Sequence, residues 1–155
     1  MRTLLVVYSY HHMNTEKVAE VFAKVLDAPI KTPQQTDPEE PQEYDLVGFG
    51  AGIDSAKHYK PLLDFADRLP KVNNKNAFIF STAGLSSDKK RGKDHSTLRE
   101  KLESKGYVIV DEFQCKGFNT NSFMKYFGGM NRGRPNAKDL KKAEKFAQNL
   151  KQKLQ

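Results

Sequence analysis

Leu4-Leu5-Val6-Val7-Tyr8-Ser9-Tyr10-His11-His12-Met13-Asn14-Thr15-Glu16 begins as an apolar run, turns abruptly polar and then opens a helical pattern. A short, continuous run of large apolar residues is what a strand buried on both faces requires. Val18, Val21, Phe22, Val25 and Leu26 then recur at helical spacing. The stretch therefore reads as strand, loop, helix. A loop so placed lies at the carboxyl end of its strand, where a helix N-terminus offers unpaired N–H groups to a phosphate. Two readings stay open from this stretch alone: a phosphate-binding turn, or the ordinary first connection of an α/β domain.

The rest of the chain repeats the pattern. Ala28 to Lys31 reads as a brief second strand, and Pro33, Pro38 and Pro41 preclude a long helix in the polar tract that follows. Asp45 to Gly50 gives a third strand with glycines at its exit, where Gly50 and Gly52 would let backbone approach a ligand closely. A helical face of Leu62, Leu63, Phe65, Ala66 and Leu69 ends at Pro70. Ala77 to Ser81 is a fourth strand, leaving into Thr82-Ala83-Gly84. A helix over Ser96 to Lys105, with Gly106 just past its end, leads to a fifth strand from Tyr107 toward Cys115. Residues 116–135 are rich in Gly and aromatics without periodicity, and a loop of that length in a compact domain is usually functional. Asn136 caps a last helix with Leu140, Ala143, Phe146, Ala147 and Leu150 on one face. Alternating strands and helices with right-handed crossovers predict a three-layer α/β/α, doubly wound, five-stranded parallel sheet of order 2-1-3-4-5, as a single domain over 1–155.

Composition narrows the classes. No stretch approaches the roughly 18 apolar residues of a membrane span, and Leu4 to Tyr8 is too short for a secretory h-region. With one cysteine, Cys115, internal disulfides are excluded, and a cytoplasmic protein is expected. The net charge is +7, and its distribution is uneven: residues 116–155 hold ten Lys/Arg against two Asp/Glu. Such basicity suits a solvated helix face, an acidic protein or a peripheral contact with an anionic membrane. No zinc-finger, helix-turn-helix or RNP pattern accompanies it, so nucleic acid is not expected.

Motif tests separate the ligands this fold class takes. A phosphorylation receiver needs an acidic pair after the first strand and an Asp ending the third, where this chain has Ser9-Tyr10 and Phe49-Gly50. A dinucleotide site needs Gly-x-Gly-x-x-Gly in the first turn, and residues 9–15 hold no glycine. The P-loop pattern is missing too. What remains is a mononucleotide flavin site, and here the chain resembles the flavodoxins. Tyr8 to Ala19 is similar to that family's strand, hydroxyl-rich phosphate turn and helix, with Asn14-Thr15-Glu16 matching directly. Gly50-Ala51-Gly52-Ile53-Asp54 resembles the segment flanking the isoalloxazine ring, and Ser81-Thr82-Ala83-Gly84 the third flavin loop. The resemblance implies FMN, held by Ser9, Tyr10, His11, His12, Met13, Asn14 and Thr15 at the phosphate and by Ala51, Gly52, Ile53, Asp54, Thr82, Ala83 and Gly84 around the ring. Where the family has small and hydroxyl residues, this chain has Tyr10, His11, His12 and Met13.

The resemblance implies an electron carrier between redox partners, with an acidic ferredoxin-like donor matching the basic C-terminal region. The alternative is an FMN-dependent oxidoreductase of the quinone reductase or menaquinone-dependent protoporphyrinogen oxidase type, whose second loop also places Gly and Ile before a His, as Gly52, Ile53 and His58 do. Tyr10, His58 and Tyr59 are candidates to stack on or edge the ring. Lys116, Arg132 and Arg134 either dock an acidic partner or belong to a covering loop. Adjacent histidines with no carboxylate or Cys at ligand spacing argue against a metal. Cys115 reads as a buried small hydrophobe.

Overall fold

The computed structural model describes residues 1–9, 14–117 and 133–155. Residues Tyr10, His11, His12 and Met13, and most of the aromatic loop including Arg132, lie outside the described residues. Among the described residues six strands and four α-helices follow in the order β1 Thr3–Tyr8, α1 Asn14–Leu26, β2 Ile30–Lys31, β3 Leu46–Asp54, β4 Lys57–His58, α2 Lys60–Arg68, β5 Lys75–Ala83, α3 Asp88–Ser104, β6 Tyr107–Lys116 and α4 Ala137–Leu154. The parallel sheet has the order β2-β1-β3-β5-β6, the expected doubly wound arrangement. Antiparallel β4 is additional and folds back on β3 as a hairpin, pairing Ile53 with His58.

Both faces of the sheet are covered, which explains the unbroken apolar strands. Leu4, Val6, Val47, Phe49, Ala77 and Ile79 pack under α2 and α3. Leu5, Val7, Phe78, Phe80, Phe113 and Cys115 pack under α1 and α4. Phe22 of α1 centres the second layer, edge-on to Phe78, Phe80 and Phe113 with ring centroids 5.7, 5.0 and 5.6 Å away.

Two extents and one register differ from the sequence expectation. Strand β3 runs through Gly48, Gly50 and Gly52 instead of ending at them. The space above the first two is filled from β5: a Cβ would meet the Phe78 ring at 2.4 Å on Gly48 and the Phe80 ring at 2.2 Å on Gly50. Gly50 thus has a packing reason of its own. Helix α3 starts eight residues before the expected Ser96, because Ser87 caps it and accepts a hydrogen bond from the Lys90 N–H. Strand β6 contains a register shift: Ala77 is opposite Ile109 but Phe78 is opposite Asp111, leaving Val110 over. Before it odd-numbered residues face α3; after it even-numbered ones do.

Candidate functional site

The carboxyl ends of β1, β3 and β5, with the N-terminus of α1, form one edge of the molecule. Strand register places Tyr8, Ala51, Ser81 and Gln114 in one row across the sheet, with Gly52, Thr82 and Cys115 in the next. Residues far apart in the chain are therefore neighbours.

On the α1 side, Asn14 and Thr15 are the first residues of the helix and both are buried. The Thr15 and Thr82 hydroxyls share a hydrogen bond of 2.8 Å, joining the first and third expected loops. Ser9 Oγ accepts from the Glu16 N–H at 3.3 Å, as a hydroxyl beside a helix start does. Gly117, just beyond β6, closes against Asn14, whose amide nitrogen would lie 2.7 Å from a Cβ there. Two hydroxyls that keep lone pairs or protons to spare, set at a helix N-terminus, are a donor set that fits a phosphate monoester.

Over the other side stands the β3–β4 hairpin. Its tip, Ser55 and Ala56, has both residues left-handed at φ 54° and 62°, the geometry of a two-residue type I′ turn. Ile53 is half-buried and Asp54 is exposed. Tyr59 lays its ring over Gly52, 2.7 Å from where a Cβ would be, and meets Tyr8 edge-on with centroids 6.1 Å apart. Ala83 is buried and Gly84 half-buried at the exit of β5. Tyr59 is thus at the edge of the site, but His58 is not. It is buried, its Nε2–H donates to the Phe80 carbonyl at 3.0 Å, and its ring lies against His95 at 4.9 Å. Burial, and secondarily the His95 imidazole, pull His58 down to about 3.

His95 belongs to a polar cluster that sequence reasoning did not find. Its Nδ1 is 2.8 Å from Glu112 Oε1 and its Nε2 is 2.6 Å from Ser81 Oγ. Arg99 clamps the same carboxylate with Nε and Nη2 at 2.9 and 2.7 Å. Gln114 Nε2 donates to Ser81 Oγ at 3.1 Å and to Asp94 at 2.9 Å, and Lys90 pairs with Asp94. Burial alone would raise Glu112, but the hydrogen bonds from His95 and Arg99 outweigh it and hold the carboxyl at about 2. Burial keeps His95 below its ordinary value against the pull of Glu112. A neutral His95 therefore carries its proton on Nδ1, toward the carboxylate, and the Ser81 hydroxyl donates to Nε2. The hydrogen bonds have the sequence of an acyl-transfer triad, yet Ser81 is fully buried and no acyl group reaches it. The register shift at Val110, for which the sequence carries no signal, turns Glu112 and Gln114 toward α3.

Arg134 forks onto Asp139, which also accepts from the Asn136 N–H, so it fastens the start of α4. Cys115 is buried, as expected, and burial pushes its thiol up to about 12.

The model of the flavodoxin domain matches residues 5–152. The chain belongs to the flavodoxin domain family. A relative from Methanocaldococcus jannaschii, itself an uncharacterized protein, is 45% identical over 150 residues, 97% of this chain and 98% of that one. Among solved structures, oxidised flavodoxin 2 from Bacillus cereus superposes with a TM-score of 0.70 at 16% identity, covering 95% of each chain. A flavodoxin from the domain Archaea gives 0.67 at 15% identity over 99% of this chain and 98% of that one. At such identities the flavodoxin likeness of the structures lies in the fold. In this flavodoxin-domain protein no described helix is long and apolar enough to cross a membrane.

Proposed function

We propose that this protein binds FMN at the carboxyl edge of its sheet and carries electrons between redox partners. The observation that carries the reading is the Thr15–Thr82 hydroxyl pair at the N-terminus of α1. It supplies two side-chain oxygens and a positive dipole end where the family resemblance puts a phosphate. Ser9, Asn14 and Thr15 would hold that phosphate, together with the backbone that leads into α1. Ala51, Gly52, Ile53 and Asp54 would flank one side of the ring, with Thr82, Ala83 and Gly84 on the other. A bound flavin supplies the electron chemistry, and the chain holds it and tunes it.

The burial of His58 favours a carrier over a turning-over oxidoreductase. The histidine that resembles the oxidoreductase second loop donates its Nε2–H to the Phe80 carbonyl and is 1% exposed, so little of its ring is open to a substrate. The partner would be acidic, because Lys138, Lys141, Lys142 and Lys145 are exposed on the first half of α4. The buried, high-pKa Cys115 suits a protein of the reducing cytoplasm.

Adding FMN to the purified protein tests the reading. Flavin fluorescence should quench at micromolar protein, and Thr15→Val should weaken binding by about tenfold, as loss of one buried hydrogen bond does. Unquenched fluorescence at that concentration sinks the proposal. Nicotinamide-driven reduction of a quinone by the loaded protein would favour the oxidoreductase instead.

A further inference from the structure

The buried cluster on the α3 face has no task in holding a phosphate or a ring, and its composition is unbalanced. Three of its acceptor atoms, His58 Nδ1, Asp94 Oδ1 and Gln114 Oε1, are buried without a hydrogen-bond partner. Buried acceptors left over in one place mean that the cluster is short of protons, an arrangement costly to keep unless the deficit is used. We propose that His95 is a proton-uptake site coupled to reduction of the cofactor, built from Ser81, Glu112 and the His58 ring behind it. The proposal rests on the FMN reading above.

Position supports it first. Ser81 and Thr82 are consecutive in β5 and point to opposite faces, so the hydroxyl that meets His95 and the hydroxyl that meets Thr15 stand back to back across one strand. His58 ends the hairpin that resembles the ring-flanking loop, two residues after its tip. The cluster thus lies directly beneath two of the three flavin-loop segments.

Charge supports it second. An electron pair with a single proton leaves one added negative charge at the strand ends. A unit charge about 10 Å away, at an effective dielectric near 20, raises a base's pKa by about one. His95 is the group made to answer. The Glu112 carboxylate on β6 already stabilises a charge at Nδ1, and the Ser81 oxygen stands ready to accept from a protonated Nε2. Opposing it are Arg99 and Lys90 on α3, while Asp94 on α3 favours it. His58 on β4 cannot take the role. A proton on its buried Nδ1 would find no acceptor, and charging both rings at 4.9 Å would set like charges together. Toward the outside, His58 borders a cavity of about 470 Å³ that also carries Asp54, Lys57, Lys60, Asp64 and Lys101, with charges of both signs. The balance is simple: two electrons enter, one proton goes to the cofactor, and a second is taken from solvent and held on His95 Nε2. Ser81 changes from donor to acceptor there.

The test uses the FMN-loaded protein, reduced at an electrode through mediators near pH 6.5. Imidazole 15N shifts of His95 should be those of a largely neutral ring in the oxidised protein and should move toward those of an imidazolium on reduction. An indicator dye should record up to about half a proton more taken up per electron pair than by His95→Gln, the most that a one-unit rise in pKa can add at one site. The NMR arm needs no substitution, so it stands even if the variant does not fold. FMN bound with His95 neutral in both states, or proton uptake equal in both proteins, overturns this inference and leaves the FMN reading intact. Failure to bind FMN overturns both.

Discussion

Ala56 is the residue least suited to its conformation. It sits at the hairpin tip with φ 62°, next to Ser55 at φ 54°. A left-handed alanine costs roughly 1–2 kcal/mol, which glycine avoids at a smaller entropic cost. Ala56→Gly should therefore stabilise the protein by about 0.5–1 kcal/mol in urea unfolding, and an unchanged midpoint would show that the tip relaxes at no cost. His58 predicts a pH dependence. Its folded pKa of about 3 lies below the unfolded value near 6.5, so between the two the unfolded chain binds the extra proton. Stability is then complete above about pH 6.5 and falls as pH drops, by about 1.4 kcal/mol per pH unit for one such histidine. His95 is shifted the same way and adds to the slope. Glu112, held at about 2, contributes stability that is present above its unfolded value near 4.5 and is lost only below it. Urea midpoints should thus decline already between pH 6.5 and 5, with a shallower decline in His58→Gln. A flat profile down to pH 5 would contradict the buried neutral imidazoles.

At the scale of elements, what the sequence made legible was what periodicity and caps encode. The apolar run at Leu4 to Val7, the face of α1 and the Asn136 cap each follow from local pattern, and each stands where expected. The Asn136 side chain accepts from the Asp139 N–H and Asp139 accepts in return. The start of α3 was illegible because Asp88 to Lys93 carries no apolar face; the helix there rests on the Ser87 cap and the Lys90–Asp94 pair. The buried cluster was illegible for a different reason. Its members come from β4, β5, α3 and β6, and two of them face inward only because Val110 is left over in the register. No local pattern announces a parity change. Gly106 shows the opposite case, a position read from sequence whose reason is sharper in three dimensions. It ends α3 at φ 97°, and a Cβ there would lie 1.8 Å from the Val72 carbonyl oxygen. Gly106→Ala should therefore cost about 2–4 kcal/mol, strain and collision together. A loss under about 1 kcal/mol in urea unfolding would mean that the α2–β5 turn yields freely.

For the whole molecule the informative quantity is where the charge sits. Helix α4 begins at the candidate site's end of the sheet: Asp139 lies close enough to Cys115 to act on its thiol, whereas Lys153, near the far end of the helix, reaches the Val110 carbonyl at 2.9 Å. Lys138, Lys141, Lys142 and Lys145 are therefore on the half of α4 nearest the carboxyl edge. An acidic partner steered by this field would approach that edge first. Because the screening length is about 30 Å at 0.01 M salt and about 3 Å at 1 M, the second-order rate of electron exchange with an acidic donor should fall steeply as salt is added. Lys141→Glu with Lys142→Glu should lower the low-salt rate by about tenfold or more and leave the high-salt rate nearly unchanged. Lys71→Glu provides the control, since Lys71 is exposed just before β5, at the opposite end of the sheet. It alters the net charge by the same amount per substitution but not the field at the site. Stopped-flow rates for the three proteins across salt separate the cases: equal losses from both ends would mean that net charge alone drives encounter, and no salt dependence would remove α4 as the docking face.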